Sequence, residues 1–71
     1  MDNPTIALIV SRLPRKPLVN AREIADALGL ATTSYVVSAI EEGSIRAAKI
    51  GPQYRIAREE AERWIRELEA K

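Results

Sequence analysis

Apolar residues recur at helical spacing in four stretches of this chain, and a fifth stretch alternates. Ile6, Ile9, Val10 and Leu13 stand at i, i+3, i+4 and i+7, one face of a helix expected over residues 4–13. Asn3-Pro4 supplies its start, with Asn as N-cap and Pro at the first helical position. The β-branched residues in this run make a strand the competing reading. Pro14 ends it, and Pro14-Arg15-Lys16-Pro17 reads as a stiff basic connector. Leu18-Val19 then leads into Asn20, which has Glu23 three residues on, a capping-box pattern. Ala21, Ile24, Ala25 and Leu28 form the buried stripe of a short helix, and Gly29 sits where a left-handed cap is needed.

Leu30-Ala31 is the turn, and Thr32 or Thr33 caps the next helix, expected over about residues 33–42. At 100° per residue, Val36, Ala39, Ile40 and Gly43 fall on one side of it. Ser34, Val37, Ser38 and Glu41 fall on the other, with Tyr35 at the boundary. From Gly43 to Ile56 the pattern changes to a small β-hairpin with Gly51-Pro52 at its tip, Gly51 suited to a positive φ. A two-residue loop puts Ala48, Ile50, Gln53 and Arg55 on one face and Lys49, Tyr54 and Ile56 on the other. Both faces are mixed, so a longer loop or a bulge competes. The last helix begins near Arg58, carries Glu59 and Glu60 in its first turn, and buries Ala61, Trp64, Ile65 and Leu68. Glu59, Arg63 and Glu67 read as surface pairing along it. The expectation is a single mainly α domain over residues 1–71, with one small hairpin.

Composition narrows the chemistry. The chain has 71 residues with neither cysteine nor histidine. That removes disulfides, zinc knuckles, thiol chemistry and the commonest general base. Without a phosphate-loop glycine pattern either, the reading is a non-enzyme with no metal and no cofactor. The longest apolar run, Ile6–Val10, is too short for a bilayer span or a signal sequence, so a cytoplasmic protein with no membrane partner and no small-molecule substrate is expected. The formal net charge is only +1, but its distribution is uneven. Residues 43–58 hold Arg46, Lys49, Arg55 and Arg58 and no acid. Residues 21–42 are acidic, with Glu23, Asp26, Glu41 and Glu42 against Arg22. A local basic surface is implied.

Helix, turn, helix, basic hairpin, helix is the order of a winged helix-turn-helix. From Leu18 to Leu68 the chain resembles the excisionase-type DNA-binding domain, within the MerR-like winged-helix class. Leu18-Val19-Asn20-Ala21-Arg22-Glu23-Ile24-Ala25 is similar to the family's opening, and Leu28-Gly29-Leu30 to its turn. Val36 to Ile40 with Gly43 is similar to its recognition helix. Ile45, Lys49-Ile50-Gly51 and Tyr54-Arg55-Ile56 are similar to its wing, and Arg58-Glu59 with Trp64-Ile65 to its closing helix. The chain departs from the family in a turn one residue longer and in a recognition helix with no Arg or Lys. Glu41 and Glu42 stand where the family usually has basic residues. The first 17 residues lie outside the match, as an added N-terminal helix that completes the core or contacts a protein.

The resemblance implies a phage excisionase, or recombination directionality factor. Such proteins bind duplex DNA cooperatively, bend it and assist an integrase in prophage excision. Its partners would be double-stranded DNA, an integrase and neighbouring protomers, in a bacterial cell. The recognition-helix contacts it points to are Thr32, Thr33, Ser34, Tyr35, Val37 and Ser38, where hydroxyls meet phosphates or base edges and Val37 a thymine methyl. The wing contacts are Arg46, Lys49, Gln53 and Arg55, a set whose cations neutralise phosphate along the backbone or in the minor groove. Arg15, Lys16, Arg22 and Arg58 are further backbone candidates. A small transcriptional regulator of the same fold is the alternative. From another class comes a protein-interaction module that uses the acidic helix and the N-terminal apolar stripe.

Overall fold

A computed structural model describes residues 3–68. Its elements follow in the order α1 (Pro4–Ser11), β1 (Leu18–Val19), α2 (Ala21–Leu28), α3 (Ser34–Glu41), β2 (Ala48–Ile50), β3 (Gln53–Ala57) and α4 (Arg58–Leu68). The domain is mainly helical, with one three-stranded antiparallel sheet in the order β1-β3-β2.

Helices α1 and α2 start where the sequence supplies a cap. Asn3 Oδ1 accepts the Thr5 N–H at 2.9 Å ahead of Pro4. Helix α1 stops at Ser11 rather than at the expected residue 13. The Arg12 and Leu13 N–H groups donate three residues back, to Ile9 and Val10 carbonyls, in a tightened last turn. Pro14 causes this, because the residue before a proline is pushed out of the helical region. Leu13 nonetheless stays buried, with Ile6 and Val10. Both halves of the capping box are present at α2: Asn20 Oδ1 accepts the Glu23 N–H at 2.8 Å, and Glu23 Oε1 accepts the Asn20 N–H at 3.0 Å. Gly29, at φ +76°, closes it, and the Leu30 N–H returns to the Ala25 carbonyl. Before α3 the Thr33 side chain makes no capping bond; Thr32 Oγ1 accepts the Ser34 N–H instead, at 3.4 Å.

The hairpin takes the two-residue loop. Ala48 pairs with Arg55, Lys49 with Tyr54 and Ile50 with Gln53, around Gly51 at φ +63° and Pro52. The Lys49–Tyr54–Ile56 face turns towards the core. Ile56 is fully buried, Tyr54 is half-buried, and the Lys49 Nζ lies 5.4 Å above the Tyr54 ring centroid. That cation–π contact lets a lysine occupy the inner face where the hairpin extends past the core. The strand β1 is an addition that the sequence pattern did not show. Leu18 pairs with Ala57 and Val19 with Ile56, and the Arg58 N–H donates to the Pro17 carbonyl at 2.9 Å.

Every helix, β1 and β3 contribute to one buried apolar cluster. Val19, Ile24, Val36, Ile45, Ile56 and Ile65 form its centre, with Trp64 beside them at 3% exposure. The α1 stripe belongs to that cluster: Ile6, Val10 and Leu13 are buried, and Ile9 packs at its margin. Of the expected α2 stripe, Ile24 and Ala25 are buried with Ala27, while Ala21 and Leu28 sit at the edge. The buried side chains among the described residues are all apolar. The fold is therefore held chiefly by area removed from water, with charged groups arranged on its surface.

Candidate nucleic-acid interface

The α3 surface splits into two sides. Thr33 and Val37 are half-buried and border an open cleft of about 250 Å³, with Arg22 of α2 across its base and Pro52, Gln53 and Tyr54 of the hairpin opposite. Tyr35 and Ser38 lie on the other side. They border a separate recess with Glu42, Trp64 and Leu68, and the Tyr35 ring is 5.8 Å from that of Trp64 at a tilt of 44°. The expected row of contacts from Thr32 to Ser38 is thus not one surface. Tyr35 in particular lies towards α4, its ring beside that of Trp64. Thr32 and Ser34 are exposed, and their hydroxyls bond each other at 3.3 Å. Of the two acids at the end of the helix, Glu42 accepts the Ser44 hydroxyl at 2.9 Å. Glu41 is exposed.

The structure sorts the candidate cations into two groups. Among the described residues, Arg46, Lys49 and Arg55 of the hairpin segment make no ion pair, nor does Arg15. The other three are engaged. Lys16 pairs with Glu23 at 2.7 Å. Arg22 pairs with Asp26 at 2.7 Å and donates to the Leu30 carbonyl at 3.2 Å. Arg58 pairs with Glu62, and its Nε donates to the Pro14 carbonyl at 2.9 Å. Arg58 is thus set apart from the unpaired cations of the hairpin segment. It fastens α4 to the segment after α1, half-buried, and with Arg15, Lys16, Glu59 and Glu62 it lines a groove of mixed charge.

A second ionic cluster sets the root of the hairpin. Glu60 Oε2 accepts the Arg46 backbone N–H at 2.9 Å, and Arg63 donates to Glu60, to Glu67 and to the Ser44 carbonyl. Hydrogen bonds from Arg63 and from the Arg46 N–H bring the Glu60 carboxyl down to about 2 from an ordinary 4.5. Arg63 is raised in turn by its two carboxylates. The sequence suggested Glu59, Arg63 and Glu67 as the pairing row. Glu60 takes the place of Glu59, and the i, i+3 spacing from Glu60 to Arg63 was the available signal. At the other end of the sheet, burial pushes the Glu23 carboxyl up, but the Lys16 ammonium, the Asn20 N–H and the nearby Arg55 outweigh it and leave it lowered.

Among the described residues no His, Cys, Asp or Glu group of three or more could hold a metal ion, and no helix is long and apolar enough to cross a membrane. No known protein family, curated protein or solved structure matches this chain.

Proposed function

We propose that this protein binds duplex DNA as a winged helix-turn-helix, with α2 and α3 as the helical pair and the β2–β3 hairpin as the wing. One observation carries the reading. The hairpin and α3 flank the same open cleft, and the hairpin segment's three cations, Arg46, Lys49 and Arg55, make no ion pair among the described residues. Cations without an ion-pair partner on a projecting hairpin can displace counterions from phosphate. In this arrangement Thr33, Ser34 and Val37 face the major groove, while Arg46, Lys49, Gln53 and Arg55 meet the adjacent backbone. Arg22 and Lys16 are held by acids and contribute less. Tyr35 and Arg58 serve the fold.

With an acidic α3 and few free cations, a single 7.9 kDa copy binds weakly. Affinity then grows through neighbouring copies on one duplex. That fits an architectural DNA-binding protein of the excisionase kind, which assists an integrase; a small transcriptional regulator would use the same surface. The protein-interaction alternative used the acidic helix and the N-terminal apolar stripe, and three of the stripe's four residues, Ile6, Val10 and Leu13, are buried in the core.

The test is a gel shift with labelled duplexes of several lengths, at low and moderate salt. A stepwise, length-dependent ladder that fades with salt is expected. If micromolar protein gives no shift at low salt, the DNA reading is wrong.

A further inference from the structure

Ile50 is the one large apolar side chain of the hairpin that stands exposed. It is 61% exposed. Its β-branched shape suits a strand, but threonine would meet that preference with a hydroxyl in water. Ile50 is also the last residue before the Gly51-Pro52 loop, so it stands at the tip, and its cross-strand partner is Gln53. Directly opposed residues share a face. The tip therefore presents an aliphatic branch beside a primary amide, with Ala48 and Arg55 next along the same face and Lys49 adjacent in the chain. No acid occurs between Gly43 and Arg58.

We propose that the hairpin tip is a minor-groove wedge: Ile50 enters a base step and kinks the duplex there, while the Gln53 amide donates to the groove-floor acceptors. This inference rests on the DNA-binding reading above and adds what the wing does once bound. Proteins that deform DNA from the minor groove insert an apolar side chain between base pairs and widen the groove as the step unstacks. An isoleucine on a short, stiff loop is such a side chain. The tip is narrow, since Gly51 has no side chain and Pro52 is a compact ring with φ fixed. The Gln53 amide matches adenine N3 and thymine O2, the only acceptors an A·T pair shows there. Lys49 and Arg55 neutralise phosphates along the rims of the groove. The preferred site is a TA step, the one most easily unstacked.

The experiment uses the full chain and duplexes of about 20 bp with one central TA step, a length over which a bend is measurable. One duplex carries 2-aminopurine in place of the central adenine, and a second carries dyes at its two ends. A third has a GC step at the centre. Wild type is expected to raise the 2-aminopurine emission, to bring the dyes together, and to prefer TA over GC by roughly fivefold or more. Ile50→Ala is expected to abolish the emission rise and the bend. Its salt-dependent affinity for the GC duplex should stay within about twofold of wild type, since the phosphate contacts are untouched. Ile50 is exposed, so the variant should melt as wild type does. Binding without any emission rise overturns the wedge and leaves DNA binding standing, as does an Ile50→Ala protein that still bends the duplex. Failure of wild type to bind any duplex overturns both. If DNA-free wild type sediments as a dimer and Ile50→Ala as a monomer, Ile50 belongs to a protein interface and the wedge is wrong.

Discussion

Arg55 and Arg58 stand three positions apart with the same charge and do different work. Arg58 donates to the Pro14 carbonyl and pairs with Glu62, so its removal strands a half-buried acceptor and an acid. Charge-assisted bonds of this kind are worth roughly 1.5–3 kcal/mol. Arg58→Ala should therefore lower the urea-derived stability by about 2 kcal/mol, with DNA affinity per folded molecule unchanged. Arg55→Ala should do the opposite: stability close to wild type, weaker binding across all sequences, and a salt-dependence slope smaller by about 1. If Arg55→Ala binds DNA as wild type does, the wing assignment fails. Glu60 gives a pH prediction. Its carboxyl is depressed in the folded state, so its contribution is complete above the ordinary value of 4.5 and drains away as pH falls through about 2. Glu60→Gln should be less stable than wild type at neutral pH, with the gap closing as acid is added through that window. Thermal melts across the range read this directly, and a gap that stays constant would remove Glu60 from the account.

At the scale of elements, local signals located each helix and loop. The α2 capping box formed with both of its bonds, and Asn20→Ala should cost about 1 kcal/mol in denaturant unfolding, as the loss of an N-cap does. The hairpin shows how a mixed pattern is resolved. From the alternation alone neither face was inside; the core took Ile56 and Tyr54, and Lys49 settled over the tyrosine ring. The strand β1 was invisible because two residues cannot display an alternation, and its partners Ile56 and Ala57 lie far along the chain. The end of α1 was misplaced by two residues for a related reason. Leu13 continues the apolar stripe, so periodicity extended the helix, but its burial is achieved from the turn before Pro14.

For the whole molecule, the decisive fact is that α1 is inside the same core as α2, α3 and α4. Leu13→Asp should therefore lower the melting temperature sharply rather than remove a partner selectively, because it puts a charge in the core. A folded, stable Leu13→Asp protein would reopen the protein-interaction reading. The core also fixes where the hairpin sits. Ile45 and Ile56 are buried, and the Glu60–Arg63 cluster ties Ser44 and Arg46, on either side of Ile45, to α4, so the hairpin projects from a fixed root beside α3. The cleft between them follows from that packing.

By itself the sequence determined the Asn3 and Asn20 caps, the helix stripes and the concentration of cations in the hairpin. Those features depend on residues within a few positions of one another, and their energies are local. Tertiary structure alone decided that β1 joins the sheet, that Tyr35 turns to Trp64 and that Arg58 is a fastener while Arg46, Lys49 and Arg55 stay unpaired among the described residues. Each of these depends on groups distant in the chain and on whether folding brings them to contact distance. A charge has the same formal value at every position; whether it is free to meet phosphate is set by what folding has placed beside it.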